Sequence, residues 1–151
     1  MAASFLSQRR VEFRDTDAAG IAHFSVFFAY MEEAEHALLR SVGLSVLDPN
    51  ASPPLGWPRV SASCAYRSPA RFEDLLEIAT HVTRIGDKSV TYAFVFRTAD
   101  RTIAEGQLVA ACCRTEQDGT HVAISIPSRI RERLEAFLMP PTSSKQTPPD
   151  A

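Results

Sequence analysis

One long helical stripe in a chain otherwise patterned in twos constrains the fold more than any other feature. Phe27, Phe28, Met31, Ala34, Leu38, Leu39 and Val42 recur at helical spacing. At about 100° per residue they fill one side of a helix that starts near Ser25. Glu35 falls inside that stripe and Glu32 at its edge, while Glu33, His36 and Arg40 face away. Gly43 follows as the stop, a residue free to take the left-handed conformation that ends helices. Elsewhere the dominant period is two. Before the helix, Val11 and Phe13 alternate with charged residues over Arg9 to Arg14. After it come Val60 to Tyr66, Leu76 to Val82, Val90 to Phe96, Ile103 to Arg114 and Val122 to Ile126. Turns at Gly86-Asp87, Ala99-Asp100-Arg101 and Asp118-Gly119 predict consecutive antiparallel strands. Ile130, Leu134, Phe137 and Leu138 predict a short closing helix. A lone helix with a wide apolar face must bury it on the sheet. The fold class is α+β, an antiparallel sheet wrapped around one long helix. Its open edges favour pairing with a second copy.

At 151 residues the chain suffices for one domain with a substantial core. That domain is expected over 1–139. The segment 140–151 carries four prolines among Ser, Thr, Lys and Gln, and is expected to be a disordered tail. Leu44 to Pro58, with Pro49, Pro53, Pro54 and Pro58, is expected to be a loop that serves as a lid or an interface element. The net charge of -2 offers no broad basic surface, so neither nucleic acid nor an anionic membrane is an expected partner. The apolar runs are too short to span a bilayer. Met1 to Leu6 lacks the basic start and apolar core of a signal peptide. Three cysteines make no disulfide framework, and together these features point to a reducing cytoplasm. Cys112 and Cys113, neighbours on one predicted strand, read as buried small hydrophobes on opposite faces.

The chemistry concentrates in Asp15-Thr16-Asp17-Ala18-Ala19-Gly20-Ile21-Ala22-His23-Phe24. This stretch joins the first strand to the helix, so a carboxylate, a glycine turn and a helix N-terminus lie together. Two readings of Asp17 stand open. It is a turn former of the kind common before helices, or it attacks a carbonyl or activates water. In the second reading Gly20 lets the backbone turn sharply beside a ligand. The N–H groups near Phe24 then polarise an ester or thioester oxygen. Asp15 shares the strand face if the strand persists, and is a turn residue otherwise. His23 is an acid–base group or a packed imidazole. Glu35 is a carboxylate at the sheet margin reaching solvent or an arginine, or a group at an acyl pocket. Glu32 faces either substrate or solvent.

Other chemistries lack their motifs. The sequence contains no CxxC or HExxH, and His36, His81 and His121 are scattered, so no metal site is expected. GxSxG is absent too, and with it the serine-hydrolase elbow. No glycine-rich phosphate loop or dinucleotide fingerprint occurs, and no cofactor is expected.

The run Val11-Glu12-Phe13-Arg14-Asp15-Thr16-Asp17-Ala18-Ala19-Gly20-Ile21 resembles the 4-hydroxybenzoyl-CoA thioesterase-like branch of the hotdog-fold superfamily. The likeness continues through Phe24, Phe27, Glu32 and Ala34, then Ser68-Pro69-Ala70-Arg71-Phe72-Glu73-Asp74, Gly86-Asp87-Lys88-Ser89 and Ile126-Pro127. It implies a hotdog fold, an acyl-CoA substrate hydrolysed to free acid and CoA, and a homodimer or homotetramer with active sites at a subunit interface. It also assigns roles: Asp17 as the catalytic carboxylate, the Phe24 N–H as the oxyanion donor, Glu32 facing the acyl group, and Lys88 and Ser89 near the CoA nucleotide. The chain departs from the family at three places. His23-Phe24 stands where many relatives carry Tyr-His, Glu35 where relatives often carry arginine, and the turn at Gly86-Asp87-Lys88 holds fewer arginines than in 4-hydroxybenzoyl-CoA enzymes. A hydratase or dehydratase using His23 and a glutamate, and a non-catalytic acyl-CoA-binding module, are the alternative functions.

Overall fold

The computed structural model describes residues 3–48 and 51–141. The first strand, β1 (Phe5–Arg10), leads through a 3-10 turn (Phe13–Asp15) to α1 (Val26–Ser41). Then come β2 (Leu55–Gly56), β3 (Arg59–Tyr66), β4 (Leu75–Ile85), β5 (Ser89–Arg97), β6 (Thr102–Ala111), β7 (Cys113–Thr115) and β8 (His121–Ala123). The helix α2 (Ser128–Leu134) and a 3-10 turn (Glu135–Phe137) close the order. Five strands form one antiparallel sheet in the order β1-β4-β5-β6-β3, and β2-β7-β8 form a smaller one. This is the hotdog arrangement, with α1 lying on one face of the large sheet.

The period-two pattern explains that face. Val90, Tyr92, Phe94 and Phe96 of β5 are buried, and the residues between them are half-buried. Against them α1 buries Phe27, Tyr30, Met31, Ala34, Leu38 and Leu39. Each large apolar side chain so removed from water contributes about 2 kcal/mol. Phe27 meets Phe96 edge-on, with ring centroids 5.3 Å apart. A Cβ at Gly106 of β6 would overlap the Met31 sulfur, so the absence of a side chain there lets the helix settle onto the sheet. The helix ends at Gly43, whose φ of +72° is the left-handed value expected of its stop.

Several expectations are corrected. The first strand lies at Phe5–Arg10 and not at Arg9 to Arg14. Val11 is buried, but Phe13 is 76% exposed because the chain has already curled into the 3-10 turn. Phe28 belongs to the exposed margin of α1, and Tyr30 takes its place in the core. Consecutive strands do not all pair: β3 pairs with β6, and the chain runs past the segment before α1, where Ile21 bridges Arg71, before β4 enters between β1 and β5. The long strand expected up to Arg114 breaks at Cys112, and β7 leaves for the small sheet. Cys112 and Cys113 are both buried, but Cys112 is that break and Cys113 begins β7, so they do not alternate on one strand. The proline-rich loop is largely irregular, with β2 as its one short strand among the described residues. The expected tail lies outside the described residues from 142 onward. Among the described residues no helix is long and apolar enough to cross a membrane.

Candidate active site

Asp15 and Asp17 leave the 3-10 turn in different directions. Asp15 is 7% exposed. Its Oδ2 accepts from the Glu12 N–H at 2.9 Å and from the Tyr30 hydroxyl at 2.8 Å, with the Arg9 guanidinium 3.6 Å away. It is therefore a turn residue, as the alternative expectation had it. Its carboxylate holds the turn to α1. Burial and hydrogen bonding to Asp15 keep the Tyr30 phenol well above its ordinary range, so it acts only as a neutral donor.

Asp17 is half-buried. Its Oδ1 accepts the Ala19 N–H at 2.8 Å, and its carbonyl accepts the Gly20 N–H at 2.9 Å. This is the turn-forming use of an aspartate, and Gly20 completes it with a φ of +77°. Among the described residues nothing donates to Oδ2. The turn thus orients one carboxylate oxygen and leaves the other available.

The entrance to α1 is built next to it. The His23 N–H donates to the Asp15 carbonyl at 2.8 Å, and the His23 ring shares a 2.7 Å hydrogen bond with the Ser25 hydroxyl. That places His23 as a brace of the helix entrance. Val26 N–H then donates to the His23 carbonyl at 3.1 Å and begins the helix. The Phe24 N–H has no acceptor among the described residues, as expected of a donor at a helix start. The Phe24 carbonyl accepts from the Tyr66 hydroxyl at 2.7 Å. Burial, with Cys64 alongside, pushes the Tyr66 phenol up to about 12, so it too is a neutral donor at neutral pH.

Asp17 and Phe24 open into one cleft of about 450 Å³, walled by Ile21, Ala22, Phe27, Tyr66 and the segment Arg67 to Ala70. The wall is mainly apolar, and Phe27 is its buried base. The segment is fixed by the Ala22 N–H, which donates to the Ala70 carbonyl at 2.7 Å. The volume lies in the range of small-molecule sites, about 300–1,000 Å³.

The other expected site residues lie elsewhere. Glu32 stands two turns further along α1, roughly 12 Å from Phe24 by helix rise, and pairs with Arg59 at 3.3 Å. Glu35 is 2% exposed and takes the same guanidinium at 2.6 Å and 2.8 Å, so it reaches an arginine at the margin of the sheet. Lys88 and Ser89 follow the turn after β4, while Asp17 sits beside the segment that precedes β4. The 11 residues of β4 separate them, roughly 35 Å. One chain does not bring these groups together. Arg131 of α2 holds that turn by donating to the Gly86 carbonyl at 2.7 Å. Tyr66 and Tyr30 belong to the site but lie outside the motif from Asp15 to Phe24. Tyr66 had a signal, an aromatic at the end of a strand just before the Ser68-Pro69-Ala70 connection. Tyr30 had none, because its partner Asp15 is distant in sequence.

Comparison with known proteins identifies the family and the fold. Residues 19–105, more than half of the chain, match the thioesterase superfamily. A 1,4-dihydroxy-2-naphthoyl-CoA hydrolase from Nostoc punctiforme is 29% identical over 131 residues, which covers 87% of this chain and 81% of that protein. Among solved structures, a gentisyl-coenzyme A thioesterase superposes with a TM-score of 0.73 at 29% identity, covering 86% of this chain and 99% of that one. A protein from Aquifex aeolicus superposes with a TM-score of 0.78 at 28% identity, covering 86% and 98%.

Proposed function

The chain belongs to the thioesterase superfamily, and from that premise we propose that it hydrolyses an acyl- or aroyl-CoA to the free acid and CoA, with Asp17 as the catalytic carboxylate. The observation that carries this reading is the shared cleft, which holds a carboxylate oxygen and the Phe24 N–H at the start of α1, neither with a hydrogen-bond partner among the described residues. Both relatives with named activities act on CoA esters of aromatic acids, and the apolar, aromatic-based cleft suits such a group.

In this scheme the thioester carbonyl oxygen lies against the Phe24 N–H. Negative charge forms on that oxygen as the carbonyl carbon is attacked, and the N–H and the helix N-terminus stabilise it. Asp17 either attacks the carbon itself or takes a proton from the attacking water. The C–S bond breaks, the thiolate leaves and is protonated to CoA thiol, and the oxygen of water ends in the acid. Gly20 keeps the turn tight enough for the ester to approach, and His23 braces the helix entrance.

Lys88 and Ser89 fit a role at the CoA nucleotide only if a second copy supplies them, given their distance from Asp17. The edge strand β3 supports such pairing. Its residues are mostly exposed, with Val60 at 65%, and its outer edge is open. Glu32, held by Arg59 outside this cleft, faces an acyl group only if a second copy extends the site toward it.

The direct test is Asp17→Asn, which keeps the size and the turn hydrogen bond but removes the charge. Turnover is expected to fall by about 100-fold or more. Wild-type turnover in the variant would remove Asp17 from the chemistry.

A further inference from the structure

We propose that Tyr66 is a positioning residue that fixes the direction of the Phe24 N–H across the cleft. The inference rests on the oxyanion role given to that N–H above. The Phe24 backbone is pinned on both flanks. On one side the preceding residue's N–H is tied to the Asp15 carbonyl at 2.8 Å. On the other, the Phe24 carbonyl is tied to the Tyr66 hydroxyl at 2.7 Å.

The peptide that carries the Phe24 N–H is held through the His23 carbonyl, which accepts the Val26 N–H at 3.1 Å, and Tyr66 adds a hold from the sheet on the peptide that follows. The Phe24 side chain is 62% exposed, and its one ring contact among the described residues is with the neighbouring His23 at 4.6 Å. α1 has no side-chain hydrogen bond at its N-cap, because the Ser25 hydroxyl is engaged with His23. Tyr66 is therefore the strut that reaches from the sheet to the helix entrance. It is braced itself, paired in register with Ala104 and edge-on to Phe27 at 5.4 Å. Both ends of the strut line the cleft. A donor that already points at the developing charge needs no reorganisation during the reaction. Releasing the Phe24 carbonyl lets the peptide that follows Phe24 rock, and the adjoining Phe24 N–H turns with it. Misplacement of a catalytic group by about 1 Å can cost on the order of 100-fold in rate.

The experiment compares wild type with Tyr66→Phe, which removes the hydroxyl and keeps the ring. Steady-state kinetics with benzoyl-CoA and hexanoyl-CoA are measured beside amide exchange at Val26 and Phe28, whose N–H groups close the first turn of α1. The expected result is a kcat lowered roughly tenfold or more with KM nearly unchanged, and faster exchange at both amides. A kcat equal to wild type, or a raised KM with kcat intact, would overturn the proposal and leave Tyr66 as a wall of the cleft. If wild type releases no thiol from any ester, the thioesterase reading fails by itself. Exchange then decides for Tyr66: faster in the variant supports the strut, and unchanged overturns it.

Discussion

Two acids beside α1 are buried, Asp15 and Glu35, and each has a more accessible neighbour, Asp17 and Glu32. Asp15 receives the Glu12 N–H and the Tyr30 hydroxyl and lies near Arg9, whereas Asp17 receives one N–H from its own turn. Glu35 takes two hydrogen bonds from Arg59, whereas Glu32 takes one longer one. Residue type does not separate the members of each pair; the donors around them do. A buried carboxylate persists only where several donors compensate its lost hydration, and those donors then occupy the oxygens a substrate would need. Within each pair the less satisfied acid is the one free to meet a ligand.

That contrast can be broken by substitution. Asp15→Asn should destabilise the fold by about 3 kcal/mol, because it removes the buried negative charge that faces the Tyr30 hydroxyl and the Arg9 guanidinium. Its kcat per folded molecule should change far less than that of Asp17→Asn, as judged by chemical denaturation and kinetics on the same samples. An Asp15→Asn protein of wild-type stability would remove the structural role. Glu35→Gln should cost about 2 kcal/mol by leaving Arg59 half-paired. Glu32→Gln, on an exposed pair, should cost less than about 1 kcal/mol. Equal losses in denaturation midpoints would show that burial does not set the difference. Lys88→Ala is the smallest expected effect, a KM for CoA esters raised a few-fold at low salt and merging with wild type as salt screens the phosphates, on the order of 0.15 M and above. No change at low salt would exclude Lys88 from the nucleotide.

Much of the fold was legible because burial follows period. The stripe from Phe27 to Leu39 marked α1, and alternation marked β3 to β6 within a few residues. The errors fall where local pattern and tertiary demand diverge. Val11 and Phe13 alternate as a strand would, yet Asp15 accepts the Glu12 N–H and the chain curls, turning Phe13 outward. Alternation continues past Ala111, yet the chain breaks at Cys112 to supply a second sheet. The motif from Asp15 to Phe24 located the cleft, since a turn beside a helix start is a local feature. It did not assign different jobs to Asp15 and Asp17, because Tyr30 and Arg9 act from other elements. Nor did it show that Lys88 lies the length of β4 away, a matter of strand direction rather than of residue type.

Thiol release from a panel of aliphatic and aromatic acyl-CoAs, by wild type and Asp17→Asn side by side, tests the central claim most directly. Hydrolysis by wild type with a loss of about 100-fold or more in the variant is the predicted result. Equal hydrolysis by both proteins would contradict it, and would move the search for the catalytic carboxylate to Glu32.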